Sequence, residues 1–181
     1  IAPLDGLSQA TPLLEKSSNL NITYSWWDMF CGYIPGSIGE TSTIAILIGA
    51  IVLLFTGIGS WRIMLSTCLG LFITSLLLNQ LTEVSDNPML ELTAIEHFVM
   101  GGFAFGMVFM ATDPVSGSQT NKGRWMYGLL IGFMAVLIRC INPAYPEGMM
   151  LAILFANAFA SLFDYFVIQS HIKKRQLSYE E

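Results

Sequence analysis

Charged residues are scarce in this chain of 181 residues. Lys, Arg, Asp and Glu together make up 12% of it, about half the usual share of a soluble domain, and apolar residues make up 54%. So few charges cannot cover a globular surface with water-facing groups, so we expect lipid to be the natural solvent. The basic residues are also outnumbered by acidic ones, which leaves a net charge of −5. Without a basic stripe to neutralise phosphates, nucleic acid is excluded as a partner.

Cysteine and histidine are too few and too scattered for the common metal and redox motifs. Cys31, Cys68 and Cys140 have no CxxC spacing and the two histidines are not clustered, so neither a disulfide framework nor a zinc site is predicted. We interpret the cysteines as buried structural thiols; the alternative is that one contributes a ligand to a shared cluster. GxGxxG, P-loop and Ser–His–Asp patterns are missing as well, which excludes soluble nucleotide chemistry.

The chain begins at Ile1 with no initiator methionine, signal peptide or basic n-region. We therefore expect a fragment, the C-terminal part of a larger membrane subunit.

Five apolar segments predict an all-α polytopic membrane protein with five transmembrane helices. They cover residues 41–60, 62–80, 97–112, 125–141 and 148–168. A helix needs about 20 residues to span a bilayer, which the first, second and fifth segments meet. The third and fourth are short, as in transporter folds that contain broken helices. Within the third, Gly102 and Gly106 form a GxxxG pair, which favours close helix packing.

The flanking segments complete the predicted organisation. Residues 1–40 form an outer segment whose part from 17 to 33, rich in Trp, Tyr and Asn, is typical of a membrane interface. Ser37 and Glu40 have capping-box spacing and are predicted to start the first transmembrane helix. Residues 41–170 form the transmembrane domain, and residues 171–181 form a tail.

The distribution of basic residues predicts the orientation. With five crossings, six of the eight lie on one side: Arg62, Lys122, Arg124, Lys173, Lys174 and Arg175. Lys16 and Arg139 lie on the other side. The positive-inside rule makes the first side cytoplasmic, so the C-terminal tail is predicted to be cytoplasmic and Thr11 periplasmic.

Two carboxylates lie where a membrane makes charge costly. Asp113 ends the third segment and Asp164 lies near the cytoplasmic end of the fifth, where Asn157, Ser161 and Asp164 follow i, i+4, i+7 spacing on one helix face. Such oxygen ligands suit sodium or a proton. Alternatively, Asp113 caps the turn before Pro114, and Asp164 reaches the cytoplasmic boundary or pairs with Lys173.

His97 begins the third segment, at the outer boundary. It is a candidate for binding a metal or shuttling protons, although an isolated histidine at an interface usually does neither.

The most distinctive polar stretch is Asp5-Gly6-Leu7-Ser8-Gln9-Ala10-Thr11-Pro12. Thr11 is predicted to be the N-cap of a short helix, with Pro12 at the first helical position. The helix N-terminus would favour an anion at the Thr11 hydroxyl. The proline-rich hairpin 142–148 is predicted to lie on the same side and to pack against this region.

This stretch resembles the flavinylation motif Asp-Gly-x-Ser/Thr-x-Ala-Thr, which here comprises Asp5, Gly6, Ser8, Ala10 and Thr11. Many proteins with the motif carry Gly where this chain has Gln9. Blocks at residues 34–40, 101–107, 110–116 and 142–150 also resemble the NqrB/RnfD family, to which the NqrB component of the sodium-translocating NADH:quinone reductase belongs. The resemblance covers essentially the whole chain.

The resemblance implies a bacterial inner-membrane complex of six subunits that passes electrons from NADH to ubiquinone and exports sodium. In this family a periplasmic flavin transferase links FMN to the last threonine of the motif, here Thr11, by a phosphoester. The NqrB component also holds riboflavin and contributes to the quinone site. The implied fold is a ten-helix, transporter-like bundle of which this chain supplies the second five helices. Asp113 and Asp164 match acidic positions of the cation path, and we add Asn157 as a candidate. No catalytic residue and no metal site are assigned.

Three alternatives stay open. One is the corresponding component of an Rnf-type ferredoxin:NAD reductase, which carries the same kind of flavin threonine. The others are a non-redox channel or permease, and a structural membrane anchor.

Overall fold

The computed structural model describes residues 11–17, 24–37, 39–80, 87–142 and 147–180, with side chains up to residue 177. All regular elements in these ranges are helical. The helices are α1 (Pro12–Ser17), α2 (Trp26–Cys31), α3 (Thr43–Phe55), α4 (Trp61–Asn79), α5 (Ala94–Val99), α6 (Phe103–Phe105), α7 (Asn121–Ile141) and α8 (Met149–Glu180). A 3₁₀ turn at Pro88–Glu91 precedes α5, and a π-helical turn at Gly106–Met110 follows α6.

Three helices of the described part of the chain are long and apolar enough to cross a membrane. They are α4, α7 and the Met149–Leu177 part of α8. The all-helical prediction is thus confirmed for the described residues. The other two predicted crossings coincide with the 13-residue α3, which spans about 20 Å, and with the interrupted helix 94–110. The five-crossing count and the ten-helix bundle stay predictions.

The third apolar segment is a broken helix. After α5 the backbone becomes extended at Met100, and Gly101 and Gly102 have φ of 60° and 62°, the left-handed region that favours glycine. Gly102 then stands at the N-cap of α6. The glycine pair predicted to allow helix packing therefore has two roles: Gly102 breaks the helix, whereas Gly106 allows close packing, because an added Cβ there would lie 2.5 Å from Met149 Cγ.

The closest helix pair is α4 with α7, and it is built on small residues that the sequence pattern did not single out. A Cβ added to Gly70 on α4 would lie 2.6 Å from the Leu129 carbonyl oxygen on α7. On α7, Gly128 approaches Ser66 and Gly132 approaches the backbone of α4. Small residues one turn apart on both helices let the two backbones touch.

The predicted start of the first transmembrane helix was wrong. The Ser37 carbonyl oxygen accepts from the Glu40 N–H at 3.3 Å in a turn, and the helix begins six residues after Ser37. Ser42 is the N-cap, with its hydroxyl accepting from the Ala45 N–H at 3.4 Å. Ser42 directly precedes the apolar run, so its hydroxyl reaches the first turn. Glu40 is left to line a cleft instead.

Candidate functional site

The predicted helix start at Thr11 is confirmed. α1 begins at Pro12, and the Thr11 carbonyl oxygen accepts from the Glu15 N–H at 3.0 Å. The Thr11 hydroxyl accepts from the Leu14 N–H at 3.4 Å, a long and weak hydrogen bond. Its side chain is partly exposed. The other predicted motif residues, Asp5, Gly6, Ser8 and Ala10, lie outside the described residues.

α1 is held against the protein by two contacts that follow Thr11. Leu13 is fully buried, and its Cδ2 lies 2.5 Å from where a Gly101 Cβ would be. Lys16 forms an ion pair of 2.6 Å with Glu91 in the 3₁₀ turn. Leu13 can therefore pack against Gly101 only because Gly101 has no side chain. A six-residue helix is marginal by itself, so this docking determines where Thr11 lies.

Thr11 opens on a cleft beside the broken helix, which we call the threonine cleft. Thr11 lines a small cavity of about 20 Å³, and an adjoining cavity of about 330 Å³ shares four of its residues, namely Glu40, Gly101, Gly102 and Glu147. The larger cavity is otherwise lined by Ser37, Phe105, Met110, Met149 and Met150. Glu147 belongs to the predicted outer hairpin, of which residues 143–146 lie outside the described ranges. Its place beside Thr11 agrees with the predicted packing.

Two carboxylates give the threonine cleft its polarity. Partial burial raises the pKa of Glu147, and the negative charge of Glu40 raises it further, while Arg139 acts in the opposite direction. The Glu40 carboxylate lies against the Gly102 backbone, because an added Cβ there would meet its Oε2 at 2.5 Å. One polar end and a wall of aromatic and thioether side chains suit a flat, amphipathic ligand.

Arg139 stabilises the broken helix through hydrogen bonds to its backbone, a role that the sequence pattern did not reveal. Its side chain is 0% exposed. The guanidinium donates to four backbone carbonyl oxygens: those of His97 at 2.5 Å, Gly101 at 2.8 Å, Met100 at 3.0 Å and Glu147 at 3.2 Å. The bonds to His97, Met100 and Gly101 satisfy carbonyl groups at the interruption after Val99, and the bond to Glu147 ties the end of the outer hairpin to the same guanidinium.

His97 does not lie at an exposed boundary as the sequence suggested. It is 1% exposed, and its Nδ1 has no hydrogen-bond partner among the described residues. His97 and Arg139 were both assigned to the outer surface because their position in the sequence is near segment ends. The break in the third helix folds that end back into the protein.

At the opposite end of the helices, Asp164 joins α8 to the start of α7. Its carboxylate accepts from the Ser118 hydroxyl at 2.5 Å, the Gln119 N–H at 2.8 Å, and both the N–H and the hydroxyl of Thr120 at 2.9 and 2.6 Å. We call this set the Asp164 clamp. The suggested ion pair with Lys173 is wrong, since the one ion pair in the described part of the chain is Lys16–Glu91.

Asp113 lies at the same end of the molecule as the clamp. Its Oδ2 accepts from the Ser116 hydroxyl at 2.7 Å and the Ser116 N–H at 3.0 Å, and these bonds lower its pKa. Asp113 thus caps the turn after the third segment. A cavity of about 90 Å³ is lined by Asp113, by Ser118 and Gln119 of the clamp loop, and by Ser60, whose buried hydroxyl has no partner among the described residues. Asn157 lies deeper along α8 and accepts from the Tyr127 hydroxyl at 2.5 Å.

Comparison with known proteins shows the family to which this chain belongs. The family model described as the NQR2, RnfD, RnfE family matches residues 1–173. The chain belongs to this family. Its relatives include proteins named as the B subunit of Na(+)-translocating NADH-quinone reductase: that of Chromohalobacter salexigens is 56% identical over 175 residues, covering 94% of this chain and 42% of the relative.

Two further members of the NQR2, RnfD, RnfE family that carry the same name give the same result. The proteins of Klebsiella pneumoniae (strain 342) and Yersinia pestis are each 55% identical over 181 residues, with coverage of 95% of this chain and 44% of the relative. The chain therefore spans less than half the length of the curated relatives it matches.

Proposed function

We propose that this chain acts within the B subunit of a sodium-translocating NADH:quinone reductase. The observation that carries the proposal is identity of about 55% over about 95% of the chain to proteins of that name, at which level fold and site chemistry are normally retained. The proposed reaction passes electrons from NADH to ubiquinone and drives sodium out of the cell. The chain would work with the other members of a six-subunit complex in the bacterial inner membrane.

Within that function, Thr11 is the proposed attachment point of FMN through a phosphoester to its hydroxyl. The described residues fit this group. The hydroxyl oxygen makes one weak hydrogen bond, and it is partly exposed beside a cleft of about 330 Å³ that contains Phe105 and three methionines. Cavities of small-molecule sites begin near 300 Å³. The flavin would supply electron transfer, and a periplasmic flavin transferase would attach it.

The chain's own residues would place and shield that group. Leu13 and Lys16 hold α1, and thereby Thr11, against the broken helix. Phe105, Met110 and Met149 offer apolar contacts to a ring system, while Glu40 and Glu147 keep one end of the cleft polar. The proposed riboflavin and the ubiquinone site are assigned to no residue of this chain.

Asp113, Asp164 and Asn157 are the proposed residues of the cation path. The cavity beside Asp113 is lined by Thr112, Ser118 and Ser60, whose hydroxyls are oxygen donors of the type that sodium prefers. The four hydrogen bonds to Asp164 compensate its charge in this structure. A cation would bind there only when the Ser118–Thr120 loop releases the carboxylate. We therefore propose that Asp113 is the receiving residue and Asp164 the gated one.

The attachment is tested by in-gel flavin fluorescence of the denatured complex. We expect a fluorescent band of this component that survives boiling, disappears in Thr11→Val and Thr11→Ala, and is partly kept in Thr11→Ser, which retains a hydroxyl. Ser17→Ala, in the last turn of the same helix, is the matched control and should keep full fluorescence. A wild-type band without fluorescence would rule out covalent FMN.

The cation path is tested by the dependence of turnover on sodium. We expect Asp164→Asn to raise the sodium concentration for half-maximal turnover several-fold while FMN stays attached, because the amide keeps the acceptor oxygen but not the charge. Ser170→Ala, at an exposed position further along α8, should leave the response unchanged. An unaltered sodium response in Asp164→Asn removes this residue from the path.

The family match leaves one second candidate, the corresponding component of an Rnf-type ferredoxin:NAD reductase, because the matching family model includes RnfD and RnfE. The two candidate functions differ in their electron donor, which is NADH in the first and ferredoxin in the second. Membranes containing the complete complex should oxidise NADH with quinone under the first proposal and reduce NAD with ferredoxin under the second.

A further inference from the structure

A second, larger cavity lies far from the threonine cleft and has no part in the proposed electron path. It is an open groove of about 660 Å³ between the start of α7 and the last turns of α8. Its charged lining is basic, with Lys122 from α7 and His171 and Arg175 from α8. All three side chains are exposed, and in the described part of the chain no carboxylate forms an ion pair with any of them. We call this cavity the basic groove.

The other side of the basic groove is apolar. Val167 is buried at its base, and Ile168 and Ile172, roughly half exposed, continue along the same stretch of α8. The backbone of Gln119 and Thr120 closes one end, where their N–H groups are already used by Asp164. A ligand of the groove therefore needs one anionic part and one apolar part.

The position of the basic groove along α8 matches the boundary of a bilayer. At 1.5 Å per residue, Val167 and Ile168 lie roughly 27–29 Å along the helix from Met149, within the ~30 Å hydrocarbon thickness. His171 and Arg175 lie at roughly 33 and 39 Å, in the headgroup region. The apolar residues are therefore at the depth of acyl chains, and the basic side chains are at the depth of lipid phosphates.

We propose that the basic groove binds the phosphate headgroup of an anionic phospholipid, with its acyl chain along Val167, Ile168 and Ile172. Lys122 and Arg175, which come from two different helices, contact the phosphate from both sides. The bound lipid thereby bridges α7 and α8 just beyond the Asp164 clamp. Basic pockets between transmembrane helices are established binding places for anionic headgroups.

Two lysines beside the groove provide a matched control. Lys173 and Lys174 lie on the same turn of α8 as His171 and Arg175, but they do not line the groove. Their removal changes the net charge of this end of the protein by the same amount as the removal of Lys122 and Arg175. A specific site and a general attraction between basic residues and an anionic surface therefore give different results.

The test uses the complete complex, purified in detergent, stripped of lipid and titrated with dioleoylphosphatidylglycerol. Retained lipid is counted by mass spectrometry of the extract and the melting temperature is followed in parallel. We expect K122Q/R175Q to weaken lipid retention roughly tenfold and to remove most of the lipid-induced rise in melting temperature. K173Q/K174Q, and the charge-conserving K122R/R175K, should behave like the wild type.

Separate arms with dioleoylphosphatidylcholine and with inorganic phosphate identify the source of the anion. We expect neither to reproduce the effect of phosphatidylglycerol. The proposal is overturned if K122Q/R175Q retains as much phosphatidylglycerol as the wild type, if K173Q/K174Q loses as much as K122Q/R175Q, or if phosphate alone gives the same stabilisation. If K122Q/R175Q does not assemble, the single variants K122Q and R175Q are measured instead, and the proposal is overturned if both retain as much phosphatidylglycerol as the wild type.

Discussion

Arg139 is the residue whose role changes most between sequence and structure. By its place in the chain it was counted as one of two basic residues on the outer side. In the fold it is fully buried and bonded to four carbonyl oxygens. Gly101 connects it to Thr11, since the Gly101 carbonyl accepts from Arg139 and the Gly101 Cα faces Leu13. Arg139 is therefore a positioning residue for the threonine cleft.

We expect Arg139→Met to destabilise the protein by about 3 kcal/mol or more, because it leaves several buried carbonyl groups without donors, at about 1–3 kcal/mol each. Thermal unfolding of the purified complex measures the loss. Arg139→Lys keeps the charge but has fewer donors, so it should fall between the wild type and Arg139→Met. If Arg139→Met unfolds at the wild-type temperature, the guanidinium does not support the break.

At the scale of elements, the α4–α7 pair is held by close backbone approach. Gly70, Gly128 and Gly132 lie in the contact, and each lacks room for a side chain. Such packing replaces the hydrophobic driving force that is missing between helices in lipid. The pair forms the frame on which the broken helix and α8 rest.

We expect Gly132→Ala to cost about 1–3 kcal/mol, the usual range for overpacking, because its Cβ would collide with the backbone of α4 at Thr67. Resistance of the purified complex to thermal unfolding is the measurement. Phe133→Ala is the matched control on the next position of α7, where the side chain is partly exposed on the helix's other face. Equal stability of the Gly132→Ala variant and the wild type would show that the helices have room to separate.

Local sequence patterns predict a helix start correctly where a few neighbouring residues determine it. Thr11 followed by Pro12 specifies a helix start through bonds within four residues, and this prediction is confirmed. Ser37 and Glu40 had an equally good local spacing, but Ser42 directly precedes the apolar run and caps it instead. Where two caps compete, the spacing alone does not decide between them.

The site itself depends on contacts between distant residues, and these could not be predicted. Arg139 reaches carbonyl groups about 40 positions earlier, and Asp164 reaches a loop about 45 positions earlier. The pattern of apolar residues along the chain predicts that a helix forms. It does not predict which other helix each of its faces packs against. The short third segment was typical of folds with broken helices, but Gly102 was interpreted as a packing residue, and the arginine that supports the break lies on another helix.

For the whole molecule, the structure separates two ends without assigning them to sides of a membrane. Thr11, Glu91 and Glu147 belong to one end, and Asp113, Asp164 and Lys122 belong to the other. The positive-inside rule predicts that the first end is periplasmic.

Labelling of introduced cysteines in intact cells with a membrane-impermeant maleimide tests this orientation. We expect Lys16→Cys to be labelled from outside and Leu177→Cys to be labelled only after the membrane is opened. The parent protein with its native cysteines gives the background. The reverse pattern would place Thr11 in the cytoplasm, out of reach of the proposed periplasmic transferase.

The wide turn at Gly106–Met110 has a consequence for how this chain can change in length. Its closing hydrogen bond, from the Ala111 N–H to the Gly106 carbonyl oxygen at 2.7 Å, spans five residues where an α-helix spans four. Deleting a residue from an α-helix rotates everything beyond it by about 100°. A deletion inside this wide turn would instead yield an ordinary turn with both flanks still in phase. The third apolar segment can therefore lose one residue here and still point the same side chains at the same neighbours.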